Sequence, residues 1–297
     1  MTVQNYAAPR NAIDQRRTLA PLAHTVPANW VLAALSATEL ERLSGEVRAV
    51  ILRKGDILHK EGETAQYVYF LESGLVSLLL SSQAGDSIEV GLVGCEGMVG
   101  ACGLVGSGRS FSEAKVQLSG RAWRMPADVF QQEFRRGGIL HQMALQHLDL
   151  LLFQAAQRAL CNRLHTVEQR LCEWLLMARN CAQTNELYFT QENIAAMLGV
   201  RRSGVTIAAG DLQQAGLIQY TRGSINILNT AGLIQKACPC YHAIRRNFIQ
   251  LYARSRDLRE QSLRPGGSTP TLHSHARYSH PQPISAPSLA QPFWVEP

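Results

Sequence analysis

The segment 190–218, which reads TQENIAAMLGVRRSGVTIAAGDLQQAGLI, limits what this chain can fold into more than any other part of the sequence. Its first half predicts an amphipathic helix over Gln191–Leu198, and Thr190 offers the side-chain oxygen that caps a helix N-terminus. A Gly199-Val200 turn precedes a second predicted helix over Arg202–Ala215. Two short helices joined by a tight turn are typical of a helix-turn-helix, whose second helix enters the major groove of DNA.

The two predicted helices each have an apolar face. The positions predicted to be buried recur at helical spacing and are Ile194, Met197, Leu198, Val205, Ala208, Ala209 and Leu212. The opposite face of the second helix presents Arg202, Ser203 and Thr206, from which a recognition helix reaches base edges. A helical hairpin with no role in DNA binding needs the same turn and apolar faces, so this segment alone leaves both interpretations open.

A predicted β-hairpin follows the second helix. Residues 217–228 alternate apolar and polar side chains on both sides of an Arg222-Gly223 turn. This pattern predicts strands over Leu217–Tyr220 and Ser224–Leu228. A hairpin directly after a recognition helix is the wing of a winged helix-turn-helix, which favours DNA binding over a plain helical hairpin.

The positive charge of the chain is concentrated around this segment. The formal net charge is +6, and residues 201–264 contain ten Lys or Arg against three Asp or Glu. A basic region at a helix-turn-helix favours a surface that faces DNA phosphates over a merely solvated one. We therefore expect Arg202 to read a guanine through O6 and N7. The predicted phosphate contacts are Thr190, Arg201 and Arg222.

Composition narrows the class of protein further. Hydrophobic residues make up 46% of the 297 residues, enough for a sizeable core. No apolar run approaches the roughly 20 residues that span a bilayer, and the N-terminus lacks the pattern of a signal peptide. The seven cysteines are odd in number and scattered, which is typical of reduced thiols. We therefore predict a cytoplasmic protein without a membrane partner.

The chain divides into further predicted regions. Residues 1–28 lack periodicity and are predicted to be flexible. Residues 29–137 contain short apolar segments between Gly-bearing turns, which predicts an all-β barrel, sandwich or roll. The predicted strands are Val50–Leu52, Val68–Leu71, Leu75–Leu80, Ile88–Val93, Ala114–Leu118 and Ala122–Met125. Residues 165–258 hold the winged helix-turn-helix, and residues 259–297, rich in Pro, Ser and His, are predicted to be a disordered tail.

A long helix is predicted over residues 138–164, between the two domains. Its apolar positions approximate a coiled-coil seam and are Leu140, Ala144, His147, Leu148, Leu151, Leu152, Ala155 and Ala156. An internal core helix would show a similar stripe. A helix of this length between two small domains favours a dimer seam, and a dimer would place two recognition helices in successive major grooves.

Two independent segments carry a family resemblance. KGDILHKEGETAQYVYFLESGLVSLLL (54–80) and the segment 190–218 resemble, in the expected order, the β-roll and helix-turn-helix signatures of the Crp/Fnr superfamily of bacterial transcription regulators. The resemblance implies an α+β chain with an N-terminal double-stranded β-helix (β-roll), a long dimerisation helix and a C-terminal winged helix-turn-helix. It further implies a homodimer that binds double-stranded DNA and contacts RNA polymerase.

The resemblance also implies an effector position in the β-roll. In nucleotide-binding members a Gly-Glu pair contacts the ribose, and an Arg-Ser pair neutralises the cyclic phosphate. Here Gly100-Ala101 replaces Gly-Glu, and Ala101 has no side chain to bind a ribose hydroxyl. We therefore expect an altered effector or none. The candidate contacts are Glu96, Gly100, Arg109 and Ser110, with exposed loop residues as the alternative interpretation for Glu96 and Arg109.

No metal or iron–sulfur centre is predicted. Fnr-like oxygen sensors hold their cluster with N-terminal cysteines, but no cysteine precedes Cys95. Cys238, Cys240 and His242 form a ligand-like group, yet structural zinc needs four ligands and no second pair stands at a recognisable spacing. Cys181 is the candidate to join them in space, and a buried structural role is the favoured interpretation.

The predicted function is a homodimeric DNA-binding transcription regulator whose β-roll senses an unknown effector. Ser203 and Ile207 stand where the best-known members have a Glu and an Arg, so a different operator is expected. The alternative is a regulatory module that binds a ligand or a protein without sequence-specific contact with DNA. An enzyme is not expected, since the chain has no nucleophile elbow, P-loop or HExxH motif.

Overall fold

The computed structural model describes residues 27–83, 87–262 and 293–294. Its helices are α1 (Trp30–Ala34), α2 (Ala37–Ser44), α3 (Ala101–Val105), α4 (Ala127–Arg135), α5 (Ile139–Leu164), α6 (Val167–Ala182), α7 (Gln191–Leu198), α8 (Arg202–Gln214), α9 (Thr230–Lys236) and α10 (Pro239–Ser262). Its strands are β1 (Arg48–Leu52), β2 (Ile57–His59), β3 (Tyr67–Leu71), β4 (Leu75–Ser81), β5 (Ser87–Val93), β6 (Met98–Val99), β7 (Glu113–Leu118), β8 (Gly120–Pro126), β9 (Glu186–Tyr188), β10 (Ile218–Thr221) and β11 (Ser224–Ile227).

Some predictions fall outside the described residues. These are the flexible segment over residues 1–26 and the parts of the tail over residues 263–292 and 295–297. Within the described ranges, no helix is both long enough and apolar enough to cross a membrane.

Two four-stranded antiparallel sheets form the N-terminal domain, in the orders β1-β8-β3-β6 and β2-β7-β4-β5. All six predicted strands are present, and the predicted α+β fold is confirmed. Buried residues of both sheets, among them Phe70 and Leu92, share one core cluster. The prediction missed β2 and β6, because strands of two or three residues are too short to show an alternating pattern.

Helix α5 confirms the predicted long helix but divides its apolar residues between two sides. The side that faces the body of the chain is buried and contains Leu140, Ala144, His147 and Leu151. The outer side is exposed and contains Leu145, Leu152, Ala156, Leu160 and Leu164. The predicted dimer seam included residues from both sides of the helix. It is wrong for Leu140, Ala144, His147 and Leu151, which are buried within the chain. A helix that is apolar nearly all round does not reveal from its sequence which side faces outward.

The C-terminal domain surrounds the helix-turn-helix. Strands β10 and β11 form the predicted hairpin, and β9, which was not predicted, completes the sheet β10-β11-β9. Trp174 on α6 is fully buried with its ring edge-on to Phe189 at 4.9 Å, so it belongs to the core of this domain. Helix α10 packs against α1, α5 and α6 and so returns the chain to the long helix.

Part of the predicted disordered tail is packed. Helix α10 continues to Ser262, and Trp294 is fully buried with its ring stacked on Phe248 at 3.9 Å. Arg179 lies over the Phe293 ring at 3.9 Å, and the Trp294 carbonyl accepts a hydrogen bond from Arg245 Nε at 2.9 Å. The prediction of disorder is wrong at these positions, because two adjacent aromatic side chains supply the apolar area that the surrounding Pro- and Ser-rich sequence lacks.

A buried ionic network joins β5, α5 and α6. Arg158 on α5 donates to Glu173 Oε2 at 2.7 Å and to Glu89 Oε1 at 3.3 Å, and all three residues are buried. Glu89 also accepts hydrogen bonds from the Ser77 hydroxyl at 2.6 Å and from Trp174 Nε1 at 3.0 Å. Burial, only partly offset by Arg158, raises the pKa of Glu89 to about 7. The β-roll, the long helix and the winged domain therefore meet at one guanidinium.

Replacing Arg158 with methionine is expected to lower the free energy of unfolding by about 3–5 kcal/mol, because two buried carboxylates lose their cation. Urea unfolding at matched protein concentration measures the change. Arg256→Met is the control, since the exposed Arg256–Glu260 pair on α10 contributes at most about 1 kcal/mol. Equal stability of the Arg158 variant and the wild type would contradict a structural role for the network.

Candidate nucleic-acid interface and effector site

The helix-turn-helix has the local geometry that its sequence predicts. The Thr190 hydroxyl accepts a hydrogen bond from Asn193 N at 3.1 Å and so caps α7, which has the predicted bounds. Gly199 ends α7 with a φ of +61°, in the left-handed region that favours glycine. A Cβ on Gly199 would also lie 3.0 Å from the Ile88 side chain on β5. The turn and its contact with the β-roll both restrict this position.

Helix α8 separates its buried and exposed faces as predicted. Val205, Ala208, Ala209 and Leu212 are buried. Arg202, Ser203, Thr206 and Ile207 are exposed. Ile207 is 67% exposed, an uncovered apolar side chain beside polar ones. The Thr206 hydroxyl lies 2.7 Å from Gln191 Oε1, so the two helices of the motif are also joined on their outer side.

The wing forms the other wall of an open cleft. Arg222 lies at the hairpin turn with a φ of +45°. The cleft is lined by Thr190, Gln191, Glu192, Arg202, Tyr220, Arg222 and Gly223. It thus brings together three of the six predicted DNA contacts, and the other three, Arg201, Ser203 and Thr206, are exposed outside this lining. The lining therefore carries two arginines and one carboxylate, that of Glu192.

Lys54 connects the β-roll to the base of the wing, a role that the sequence did not indicate. Its Nζ donates a hydrogen bond to the Tyr188 carbonyl at 2.6 Å and lies 5.5 Å from the centre of the Phe189 ring. Lys54 belongs to the turn between β1 and β2, far from β9 in the sequence. No local pattern could indicate this contact.

The candidate effector position of the β-roll holds a small cavity. Its volume is about 10 Å³, close to the space that one water molecule needs. Gly100 and Ser110, two of the four predicted contacts, line it together with His59 and with Leu151 of α5. Arg109 is exposed, and its guanidinium donates to the Gly62 carbonyl at 3.1 Å.

Two polar atoms of the cavity lining lack partners. His59 Nδ1 and Ser110 Oγ are buried and have no hydrogen-bond partner among the described residues. Burial lowers the pKa of His59 to about 4, against the opposing effects of Glu63 and of the Ser112 backbone. The imidazole is therefore neutral, and together with the hydroxyl it offers both a donor and an acceptor. Since His59 belongs to the unpredicted strand β2, the sequence did not indicate it.

Glu96 lies apart from the other candidate effector contacts. Its carboxylate is fully buried, accepts a hydrogen bond from Gly94 N at 2.7 Å and lies 3.7 Å from the Cys181 thiol on α6. Burial raises the pKa of Glu96 to about 7. A Cβ on Gly94 would stand 2.3 Å from the Cys181 carbonyl, so this loop is tightly packed under α6. The structure therefore places Glu96 against α6, and Glu96 does not line the cavity.

A winged helix-turn-helix joined by a long helix to a β-roll defines a DNA-binding regulator with a sensory domain. Residues 49–136 match the family model of the cyclic nucleotide-binding domain, and residues 169–236 match that of the Crp-like helix-turn-helix domain. The chain belongs to the Crp/Fnr superfamily and is a DNA-binding transcription regulator.

Individual relatives agree with this assignment. The global nitrogen regulator of Synechocystis sp. is 26% identical over 212 residues, which cover 67% of this chain and 94% of that protein. FixK2 from Bradyrhizobium japonicum has a TM-score of 0.56 at 18% identity and covers 65% of this chain and 98% of its own. A Crp/Fnr-family regulator from Thermus thermophilus has a TM-score of 0.51 at 23% identity, with coverages of 64% and 98%.

Proposed function

We propose that this regulator acts as a homodimer that reads a two-part operator through α8 and its wing. The observation that carries the proposal is the exposed recognition face, on which Arg202 and Ile207 point to solvent beside a cleft with a second arginine, Arg222. Arg202 is suited to a guanine, and Ile207 to the methyl group of a thymine. Contact with RNA polymerase remains a prediction from the family resemblance.

The outer side of α5 supports the dimer. Leu145, Leu152, Leu160 and Leu164 are 44%, 69%, 44% and 63% exposed. They recur at intervals of seven, eight and four residues along one helix, which suits packing against the same side of a second α5. A two-fold dimer of this kind sets the recognition helices about 34 Å apart, one turn of DNA.

Leu152→Glu is expected to convert the dimer into a monomer, because it places a charge at the most exposed leucine of the seam. Sedimentation velocity would show the loss of the dimer, and DNA affinity would fall with it. Ile51→Glu is the matched control, since Ile51 is 42% exposed but lies on β1, outside both the seam and the winged domain. A Leu152 variant that remains dimeric would contradict the proposed seam.

Arg202→Ala is expected to weaken binding to the operator by about 1–3 kcal/mol and to relax the choice of base at one position in each half-site. Gel-shift selection from genomic fragments, with wild type and variant side by side, measures both effects. The control is Arg256→Ala, which removes an exposed arginine of α10 that lies outside the cleft.

Two results of that experiment would count against the proposal. An unchanged base preference would show that Arg202 does not read a base. If a salt series of the same gel shifts shows no salt-dependent binding to any duplex, the alternative function, a regulatory module without sequence-specific DNA contact, is favoured, since phosphate contacts are steeply salt-dependent.

We further propose that the β-roll does not bind a cyclic nucleotide and that its effector is altered or absent. Ala101 is buried and offers no carboxylate to a ribose. A pocket for a ligand of nucleotide size has a volume of about 300 Å³ or more, whereas this cavity has about 10 Å³.

Calorimetry of the full chain with cyclic nucleotides tests this point. No binding heat is expected, because a cavity of about 10 Å³ is too small for a nucleotide. The control is the same titration with His59→Gln, which should likewise give no binding heat. Clear saturable binding by the wild type would show that the β-roll opens for a nucleotide in spite of Ala101.

A further inference from the structure

Four side chains with metal-binding atoms meet where the long helix ends. They are Cys161, His165, Cys238 and Cys240, and their ligand atoms all lie within 4.8 Å of one another. The Cys161 and Cys238 sulfurs are 3.4 Å apart, and Cys240 Sγ lies 3.8 Å from His165 Nδ1. The three cysteines are buried and the histidine is partly buried.

These distances suit a tetrahedral metal site. Zinc binds thiolate at about 2.3 Å and imidazole nitrogen at about 2.0–2.1 Å, so the edges of a Cys3His tetrahedron measure about 3.8 Å between sulfurs and about 3.6 Å between sulfur and nitrogen. The two pairs with measured distances already lie within a few tenths of an ångström of such edges. The widest pair in the group needs to close by about 1 Å.

The local structure preorganises both halves of the group. Cys161 lies in the last turn of α5, and His165 is the residue that caps this helix, its N–H donating to the Cys161 carbonyl at 3.1 Å. Cys238 and Cys240 flank Pro239, which starts α10, and the Cys238 carbonyl accepts a hydrogen bond from Tyr241 N at 3.1 Å. Each half therefore presents two ligands from a fixed backbone.

The three thiols differ from the other buried cysteines. Cys95, Cys172 and Cys181 belong to the main apolar core and pack there as small hydrophobic side chains. Cys161, Cys238 and Cys240 instead form a separate cluster of their own. The first three cysteines therefore pack in the main apolar core, whereas the second three are grouped only with one another.

The surrounding charges suit an anionic centre. Three thiolates and a neutral imidazole around a divalent ion carry a net charge of −1. Arg158 and Arg170 both interact electrostatically with Cys161 and Cys238. Glu173 opposes them, but it is already paired with Arg158 at 2.7 Å.

We propose that Cys161, His165, Cys238 and Cys240 bind one zinc-like divalent metal ion as a Cys3His site. Two residues of the constellation suggested by the sequence lie elsewhere, since His242 is exposed and Cys181 packs against Glu96. The site joins the end of α5 to the start of α10. It therefore fixes the winged domain to the long helix, and metal occupancy becomes a condition for placing α8 on DNA.

Metal analysis of the full-length protein, purified in a thiol reductant, tests the proposal without DNA. Wild type and Cys172→Ser, the matched buried control, are expected to carry one zinc per chain, whereas Cys238→Ser and Cys240→Ser lose most of it. Cobalt exchange should give the absorption of tetrahedral thiolate-bound Co²⁺ in the first two proteins only. His165→Cys provides a variant that keeps four ligands, and it should retain the metal if the serine variants fail to fold.

Other outcomes would overturn the site. Wild type without zinc and without the cobalt spectrum contradicts it, as does equal metal content in wild type and Cys238→Ser. A disulfide between Cys161 and Cys238 in freshly purified protein would replace it, because two bonded sulfurs cannot both serve as thiolate ligands. If chelation leaves DNA affinity unchanged, the metal does not influence the placement of α8. The existence of the metal site is tested separately, by the metal content.

Discussion

The arrangement of the two domains depends on the buried guanidinium of Arg158. It is placed by α5 and shared between Glu89 of the β-roll and Glu173 of the winged domain, with Trp174 and Ser77 completing the shell around Glu89. Burying these charges is costly, and the cost is offset only while all three remain together. Because the contact needs all three residues at once, it favours one relative placement of the β-roll, α5 and the winged domain. A displacement of α5 relative to β5 or α6 would have to break this network.

The candidate effector cavity and the proposed dimer seam lie on two sides of that same helix. Leu151 lines the cavity on the inner side, and Leu152, the next residue, is the most exposed leucine on the outer side. A movement of α5 at Leu151 would therefore also move a residue of the proposed seam. The Cys3His group lies at the end of this helix. The candidate cavity, the proposed dimer seam and the proposed metal site are therefore all connected through α5.

The features that the sequence predicted are those that local residues determine. The bounds of α7 follow from a capping threonine and a left-handed glycine within ten residues, and the strands of the β-roll follow from alternating apolar runs. Contacts between distant segments could not be predicted in this way. The surroundings of Glu96 are set by Cys181, and the partners of Cys238 and Cys240 come from a helix that ends more than 70 residues earlier. The inner side of α5 was misassigned because its apolar residues surround the helix and only packing distinguishes them.

The contact of Lys54 with the base of the wing has a consequence for a dimer. It connects the sensor and the reader of the same polypeptide, as does Ile88 beside Gly199. In the proposed homodimer, each chain would then carry its own link between the β-roll and the recognition helix. A mixed dimer, formed from one intact chain and one chain with a damaged link, would lose that link at one half-site only. Damage to the link would therefore act chain by chain.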